Sequence, residues 1–324
     1  MPLSNNDVIS EFKSKLISGH SIIDLTGGFG VDSYFFSKRF KDVVHCEMDE
    51  HLSEIAAHNF KVLNADSITA INYDGIQFLE ENQKHYDWIY VDPSRRHESK
   101  GKVFFLKDCL PNIPDLLDVL FNRSNHVMIK TSPLLDISAG IQELKFVKEI
   151  HVVSVENEVK ELLWILEFGY EGHLKVTTVN LKKNQNESFT FILDDETEAD
   201  VIYSEPLSFL YEPNAAILKS GAFKTVSSQL KVFKLHVNTH LYTLDSIIDF
   251  PGRRFKIESV LPYSKQNLKS IAIKKANITT RNFPESVSQI RKKFKISEGG
   301  NIYLFFTTNY KNEKIVIICS KVKN

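Results

Sequence analysis

The stretch SIIDLTGGFGVDSYFFSK, residues 21–38, constrains the fold of this chain more than any other feature. An apolar segment over residues 21–25 leads into a turn with three glycines. Apolar residues then recur at helical spacing from Val31 to Phe40. Glycines at such a turn let a ligand approach the backbone and allow positive φ angles. The stretch therefore predicts a strand, a ligand-binding turn and a helix.

Length and composition indicate a globular protein with several domains. The chain has 324 residues, of which 42% are hydrophobic and 25% charged. No apolar run approaches the ~18 residues of a membrane span, and the N-terminus lacks the pattern of a signal peptide. Cys46, Cys109 and Cys319 lie far apart. They are expected to be reduced thiols in a cytoplasmic protein without a metal site or membrane partner.

Charge is distributed unevenly along the chain. Residues 1–249 carry 24 Lys+Arg and 37 Asp+Glu, whereas residues 250–324 carry 16 and 4, so the net charges are −13 and +12. A basic C-terminal region on an acidic body indicates a polyanionic partner such as nucleic acid. The alternative is a solvated basic surface.

Acidic residues follow three further predicted strands. The segment DVVHCEMD ends near Glu47, ITAINYD ends at Asp74, and the apolar run Trp88–Val91 leads into Asp92. A helix over Glu50–Leu63 separates the first two of these strands, and a fifth strand is predicted in HVMIKTSP, residues 126–133. Polar residues thus gather at the carboxyl ends of successive strands, where open α/β sheets bind ligands.

These motifs resemble class I S-adenosylmethionine-dependent methyltransferases over roughly residues 15–170. A dinucleotide-binding fold prefers a third glycine at the position of Ser33. Here the glycines instead follow Asp24 as D-x-T-G-G-F-G, with Thr26 in place of the family's first glycine. The resemblance implies a Rossmann-like α/β fold and S-adenosylmethionine as the cofactor.

The resemblance also implies roles for single residues. Asp24 would lie near the ammonium group of the methionine moiety, Glu47 would bind the ribose hydroxyls, and Asp74 would accept from the adenine amine. The implied cofactor-binding residues are Asp24, Thr26, Gly27, Gly28, Gly30, Glu47, Met48, Asp74, Gly75 and Asp92. The alternatives are that Asp24 only caps the turn and that Glu47 is a solvated acid.

The motif DPSRR is expected on the reaction side, with Asp92, Pro93, Ser94 and Arg95 as the catalytic residues. Similar Asp-Pro-Pro-aromatic motifs hold an exocyclic amine through the acid and a backbone carbonyl. Here Ser94 and Arg95 replace the second proline and the aromatic residue, so a guanidinium plane would have to stack on the base. Arg95 and Arg96 could instead bind a phosphate or pair with acids in the protein.

Two hairpins are expected to complete a first domain over residues 1–195. One lies in EIHVVSVENEVKELLWILEFG, with Lys160-Glu161 as surface residues, and the other surrounds the turn Lys182–Glu187. The polar segment Glu196–Asp200 is expected to be a linker. His236 and His240, four apart in a strand-like segment, are expected to be structural and not metal ligands.

The second half predicts a compact α/β module. Strands are expected over 254–260, 270–276, 301–308 and 314–320, and a helix over 284–294. The segment KKANITTRNFPESVSQIRKKFKISEGGNIYLFFTT resembles the THUMP-like domain of an uncharacterised bacterial family, here residues 252–324. Residues 201–251, with LYEPNAAILKSGAF, resemble the small ferredoxin-like module before it. Members of that family usually carry a further helical segment before the methyltransferase loop, which we expect to be absent or trimmed here.

The resemblance implies RNA, tRNA or rRNA, as the partner, since THUMP domains bind structured RNA. The expected RNA-binding residues are Arg253, Arg254, Lys274, Lys275, Arg281, Arg291, Lys292 and Lys293. Phe255, Phe283 and Phe294 lie between them; they could stack on unpaired bases, but they are expected in the core. The predicted function is methylation of an RNA base. The alternatives are a methyltransferase of a protein or small molecule, and a protein of this fold that binds without catalysis.

Overall fold

The computed structural model describes residues 5–95, 105–270 and 273–322. The chain forms two compact units, residues 1–192 (unit 1) and 193–324 (unit 2). No helix in these three ranges is long and apolar enough to cross a membrane.

Unit 1 is built on a nine-stranded sheet in the order β11-β10-β8-β9-β7-β4-β1-β2-β3. Its strands are β1 (Ser21–Asp24), β2 (Asp42–Glu47), β3 (Ile68–Asn72), β4 (Trp88–Val91), β7 (His126–Thr131), β8 (Val147–Val155), β9 (Glu158–Glu167), β10 (Lys175–Leu181) and β11 (Glu187–Ile192). A separate ribbon pairs β5 (Ser94–Arg95) with β6 (Cys109–Leu110).

Strands β1, β2, β3, β4 and β7 run parallel, and their carboxyl ends therefore meet at one edge. Strand β9 pairs antiparallel with both β7 and β8, and β10 with β11, so both predicted hairpin segments belong to this sheet. The predicted α/β fold is confirmed. One detail is wrong: Glu161 lies within β9 and is only 3% exposed, so it is not a surface residue.

The helices of unit 1 are α1 (Asn5–Lys15), α2 (Val31–Phe36), α3 (Glu50–Val62), α4 (Gly75–Glu81), α5 (Ile113–Phe121) and α6 (Ile137–Glu143). Helix α2 ends four residues before the predicted end at Phe40, which continues as turns. Apolar residues of α1 and α2, among them Ile9 and Phe36, pack on Tyr90, Met128 and Leu163 of the sheet. This core fixes the strand ends on which the site is built.

Unit 2 contains a seven-stranded sheet in the order β13-β14-β12-β15-β18-β17-β16. Its strands are β12 (Phe209–Pro213), β13 (Phe233–Lys234), β14 (Tyr242–Leu244), β15 (Gly252–Pro262), β16 (Asn277–Arg281), β17 (Ile302–Thr308) and β18 (Lys314–Lys321). Its helices are α7 (Leu193–Glu198), α8 (Ala215–Ser220), α9 (Phe223–Leu230), α10 (Lys265–Ser270) and α11 (Val287–Phe294). Strands from the expected ferredoxin-like and THUMP-like segments thus pair in one sheet.

Alternating residues of β17 explain how both faces of this sheet are covered. Phe305 packs in one core cluster with Phe255, and Leu304 and Phe306 pack in another with Ile290 of α11. Phe283 and Phe294 pack against the second cluster. The core prediction for the three interleaved phenylalanines is therefore confirmed.

Two predicted elements of unit 2 are wrong. Helix α7 occupies most of the expected linker, because Glu196 accepts from the amides of Phe223, Lys224 and Thr225 at the start of α9. The strand expected over residues 270–276 is replaced by the end of α10 and, among the described residues, one isolated bridge at Lys275. Strand β16 begins only at Asn277.

Candidate functional site

A cavity of about 530 Å³ lies at the carboxyl edge of the parallel strands of unit 1. Residues that follow β1, β2, β3 and β4 line it, and the ribbon strand β6 with the start of α5 forms another wall. The lining residues are Leu25, Thr26, Cys46, Glu47, Met48, Asp74, Gly75, Ile76, Asp92, Ser94, Leu110, Pro111, Asn112 and Leu116. The three strand-end acids Glu47, Asp74 and Asp92 therefore share one cavity.

The turn requires its three glycines for two different reasons. A Cβ on Gly27 would lie 2.1 Å from the His45 ring, which packs beneath the turn. Gly28 and Gly30 have φ angles of 54° and 79°, a left-handed conformation that favours glycine. The Gly28 amide donates to Glu47 Oε2 at 2.7 Å, so the turn and the strand-end acid hold each other.

Asp24 lies under the turn and does not line the cavity. It is 1% exposed, and its carboxylate accepts from the Thr26 amide at 3.1 Å and the Ser33 hydroxyl at 2.7 Å. Burial raises the pKa of Asp24 to about 7. This geometry matches the alternative in which Asp24 caps the turn.

Glu47 and Asp74 are both oriented by backbone amides. Glu47 accepts from Gly28 through Oε2 and from Asp49 through Oε1, the latter at 2.8 Å. Asp74 caps α4, with Oδ1 accepting from the Ile76 and Gln77 amides at 2.8 and 3.1 Å. Each carboxylate is thus fixed with unused acceptor capacity.

Gly75 and Met48 shape the wall beside these acids. A Cβ on Gly75 would lie 2.3 Å from the carbonyl oxygen of Leu25, so α4 starts directly against the end of β1. Met48 lines the cavity and is 72% exposed. Gly75 and Met48 therefore line the same cavity as Asp74.

Asp92 is held through its backbone and its side chain. Its amide donates to Thr26 Oγ1 at 2.7 Å, and its Oδ2 accepts from Lys130 Nζ in an ion pair. Sequence reasoning placed Lys130 at the end of the fifth strand but gave it no role. The only sequence signal was its position, because strand-end residues of a parallel sheet converge at one edge.

The rest of the DPSRR motif crosses the cavity wall. Ser94 lines the cavity and pairs in the ribbon with Leu110, whereas Pro93 is not a lining residue. The side chain of Arg95 and all of Arg96 lie outside the described part of the chain.

A buried ionic network lies below Asp92 on the face that carries α1 and α2. Lys13 Nζ lies 2.8 Å from Asp32 Oδ2, 3.0 Å from the Tyr90 hydroxyl and 3.4 Å from Glu161 Oε2. Desolvation would raise the pKa of Asp32, but the Lys13 ammonium and the hydrogen bonds from Ser10 and Tyr90 together outweigh it and lower this pKa to about 2. The network anchors α1 and α2 to the sheet next to the cavity.

The eight basic residues expected to bind RNA differ in how accessible their charges are. Arg253 and Arg281 both pair with Glu212, which is 2% exposed. Arg291 donates to the carbonyls of Ala276 and Ile296 at 3.2 and 3.3 Å, where it closes the end of α11.

Lys293 and Arg254 also have partners within unit 2. Lys293 lies 3.0 Å from Glu285, and Arg254 donates to the Ile248 carbonyl at 3.3 Å. Five of the eight expected residues therefore have protein partners, whereas Lys274, Lys275 and Lys292 are exposed.

Four exposed lysines form what we term the lysine patch: Lys274, Lys275, Lys292 and Lys295. Ser297, two residues beyond Lys295, donates to the Lys274 carbonyl through its amide and its hydroxyl. Ser297 also forms an isolated parallel β-bridge with Lys275. These contacts bring residues 274–275 beside the end of α11. In the described ranges no carboxylate lies within ion-pair distance of the patch.

The two histidines of unit 2 have structural partners. His236 contacts Asn312 at 3.1 Å and Asn282 at 3.0 Å, and His240 stacks on Phe223. Burial lowers the pKa of His240 to about 4. Within the described residues, no cluster of His, Cys, Asp or Glu could hold a metal ion.

Comparison with known proteins agrees with the predicted family. Residues 252–321 match a THUMP domain-like family model, and residues 209–251 match a ferredoxin-like domain model. A solved "putative methyltransferase" from Porphyromonas gingivalis W83 is 32% identical, with a TM-score of 0.92, over 99% of this chain and 82% of that one.

A curated relative gives a shorter match. An RNA methyltransferase of Mycoplasma mobile, described as uncharacterized, is 30% identical over 88 residues, which are 27% of this chain. The matched part spans 23% of that protein. From the match over nearly its whole length, the chain belongs to the methyltransferase-fold family of the Porphyromonas gingivalis protein, with ferredoxin-like and THUMP-like domains at its C-terminal end.

Proposed function

We propose that the protein is an S-adenosylmethionine-dependent methyltransferase that methylates a base of structured RNA, either tRNA or rRNA. The observation that carries the proposal is the cavity of unit 1, in which Glu47, Asp74 and Asp92 lie at three successive strand ends. We assign the chemistry to residues 1–195 and delivery of RNA to residues 252–324, behind the ferredoxin-like module of residues 201–251.

The residues of the cavity fit this cofactor. Its volume of about 530 Å³ falls in the range of about 300–1,000 Å³ that small-molecule sites occupy. Glu47, already fixed by two amides, offers its remaining lone pairs to ribose hydroxyls. Asp74 offers Oδ2 to an adenine amine, and Met48 and Ile76 offer apolar surface to the ring. A methionine moiety would extend from Thr26, which lines the cavity, toward the Gly27–Gly30 turn, whose glycines are not among the lining residues.

Asp92 is the residue proposed to orient the acceptor. When bound, S-adenosylmethionine supplies an electrophilic methyl group on a cationic sulfur. The hydrogen bond from the Asp92 backbone amide to Thr26 Oγ1 fixes this residue at the end of β4. From there its carboxylate can accept a hydrogen bond from an amine. Holding the nucleophile in line at contact distance replaces a random encounter and contributes most of the acceleration.

RNA as the acceptor is supported by unit 2. The lysine patch presents four cations without carboxylate partners among the described residues, and the THUMP domain-like match covers it. Lysines on a surface neutralise phosphates irrespective of sequence, so such a patch suits recruitment. The Mycoplasma mobile relative, an RNA methyltransferase by description, points the same way.

The test is transfer of labelled methyl groups by the whole chain to total RNA from a strain that lacks the gene, and in parallel to its protein extract. We expect label in RNA and, after digestion, in one methylated nucleoside. Label in protein alone would replace RNA by a protein substrate. Label in neither, with cofactor binding intact, would contradict catalysis.

A further inference from the structure

Five charged side chains of alternating sign lie on one face of the sheet of unit 1. Asp32 pairs with Lys13, and Lys13 lies 3.4 Å from Glu161. At the cavity, Lys130 pairs with Asp92. The series Asp32, Lys13, Glu161, Lys130, Asp92 is therefore complete except for a contact between Glu161 and Lys130.

Strand register places Glu161 and Lys130 within reach of each other. Lys130 of β7 lies opposite Leu163 of β9, two residues from Glu161. Side chains two apart on a strand share a face, and such diagonal neighbours are about 7–8 Å apart across an antiparallel pair. A lysine side chain spans that gap by a change of rotamer.

Glu161 has an unused acceptor. It is 3% exposed, its Oε2 faces Lys13, and its Oε1 is buried without a hydrogen-bond partner among the described residues. The pKa of Glu161 is raised, chiefly by burial and further by the charges of Asp32 and Asp92, whereas the charges of Lys13 and Lys130 oppose the rise. A buried carboxylate oxygen without a donor is costly unless some state of the protein provides one.

We propose that Lys130 exchanges its partner from Asp92 to Glu161 Oε1 when a cationic methyl donor is bound, and that Lys130 and Glu161 are positioning residues for Asp92. The inference rests on the proposed function. In the exchanged state Asp92 faces the donor and acceptor with both oxygens available.

The physical reason is repulsion between two cations at one carboxylate. A sulfonium beside Asp92 would lie close to the Lys130 ammonium in a partly buried site, where charges are screened less than in water. Transfer of Lys130 to Glu161 separates the cations and satisfies Oε1. The series of five charges still alternates in sign after the exchange. Lys130 remains between Glu161 and Asp92 but forms an ion pair only with Glu161.

Crystal structures of the whole chain with two ligands test the exchange. S-adenosylhomocysteine is neutral at sulfur, and sinefungin carries an ammonium group where the donor methyl would be. We expect Lys130 Nζ on Asp92 with the first ligand and within 3.5 Å (an ordinary ion-pair distance, about 3–4 Å) of Glu161 Oε1 with the second. Lys130 on Asp92 in both complexes would overturn the inference and leave the cofactor assignment intact. Failure of both ligands to bind would overturn the proposed function.

Calorimetry gives an independent test through a double-mutant cycle. Glu161→Gln should weaken sinefungin relative to S-adenosylhomocysteine by about 5–30-fold, but by less than about 2-fold when Lys130→Met is also present. Glu158→Gln on the same strand, 74% exposed beside Lys160, is the matched control. Equal losses in both backgrounds would indicate a role that does not act through Lys130 and would overturn the proposal.

A variant that fails to fold does not remove the test. Lys130→Met alone should tighten sinefungin relative to S-adenosylhomocysteine by about 3–10-fold, because it removes the competing cation. An unchanged ratio would contradict the exchange.

Discussion

In unit 1 the acids at the ends of β2, β3 and β4 line one cavity, and backbone amides orient Glu47 and Asp74. In unit 2 the cations of Arg253 and Arg281 face buried Glu212, and those of the lysine patch face solvent. Topology explains the contrast. A parallel sheet brings its strand ends to one edge, whereas the availability of a surface cation depends on whichever carboxylate packs beside it.

The largest effect is expected from a substitution in the cavity of unit 1. Asp92→Ala should lower methyl transfer to RNA by ~100-fold or more and change affinity for S-adenosylhomocysteine by less than about 3-fold. The hydrogen bond from the backbone amide of residue 92 to Thr26 does not depend on the side chain, so the end of β4 should keep its geometry. Kinetics and calorimetry measure the two quantities, with exposed Asp66→Ala as the control. An equal loss of both would make Asp92 a cofactor or fold residue.

Two neighbouring glycines provide a matched pair for the turn. Gly27→Ala should lower the free energy of unfolding by about 3 kcal/mol, because its Cβ would enter the His45 ring. Gly28→Ala should cost only about 1 kcal/mol, since its Cβ would meet open space and only the left-handed φ is unfavourable. Urea unfolding measures both, and similar losses would contradict the packing described for the turn.

The pH dependence of stability should separate Asp24 from Asp32. The raised pKa of Asp24 means that the folded state holds this proton up to about pH 7, whereas the unfolded chain releases it near pH 4. The contribution of Asp24 to the free energy of unfolding therefore falls as pH rises through that interval. Between pH 4 and pH 8, the free energy of unfolding of Asp24→Asn should rise by about 2 kcal/mol relative to that of the wild type.

Asp32 should behave in the opposite way. Its pKa of about 2 lies below the unfolded value, so its contribution is complete above pH 4 and is lost as pH falls toward 2. Asp32→Asn should be destabilised at neutral pH, with a deficit that narrows in acid. Urea unfolding at several pH values tests both, and parallel profiles for the two variants would contradict the assigned shifts.

The smallest expected effect concerns the lysine patch. Lys292→Ala with Lys295→Ala should weaken binding of total tRNA and lower the slope of log affinity against log salt by ~0.7–0.9 per lost phosphate contact. Lys61→Ala with Lys183→Ala, two exposed lysines of unit 1, controls for the change in net charge. Filter binding with a salt titration is the measurement. Identical slopes of log affinity against log salt in both double variants would mean that the lysine patch is a solvated surface without a role in RNA binding.

Local patterns were sufficient for the parallel strands, the glycine turn and the shared edge of Glu47, Asp74 and Asp92. They failed where tertiary contacts decide. In the sequence Glu161 has the pattern of a polar surface residue, yet it is buried and lies 3.4 Å from Lys13 of α1. The segment around Glu196 resembles a linker, yet its carboxylate caps α9. Lys130 pairs with Asp92, and Arg253 and Arg281 pair with Glu212. These partners are far apart in sequence, so hydrophobic periodicity could not predict the ion pairs.

Calorimetric titration of the whole chain with S-adenosylhomocysteine tests the central claim most directly. We predict binding at one site, weakened by ~1–3 kcal/mol in Glu47→Ala because the ribose hydroxyls lose a charged acceptor. Glu50→Ala, an exposed acid three residues further on, should bind like wild type. Absence of binding by the wild-type chain, or equal affinity in Glu47→Ala, would contradict the assignment of this cavity to S-adenosylmethionine.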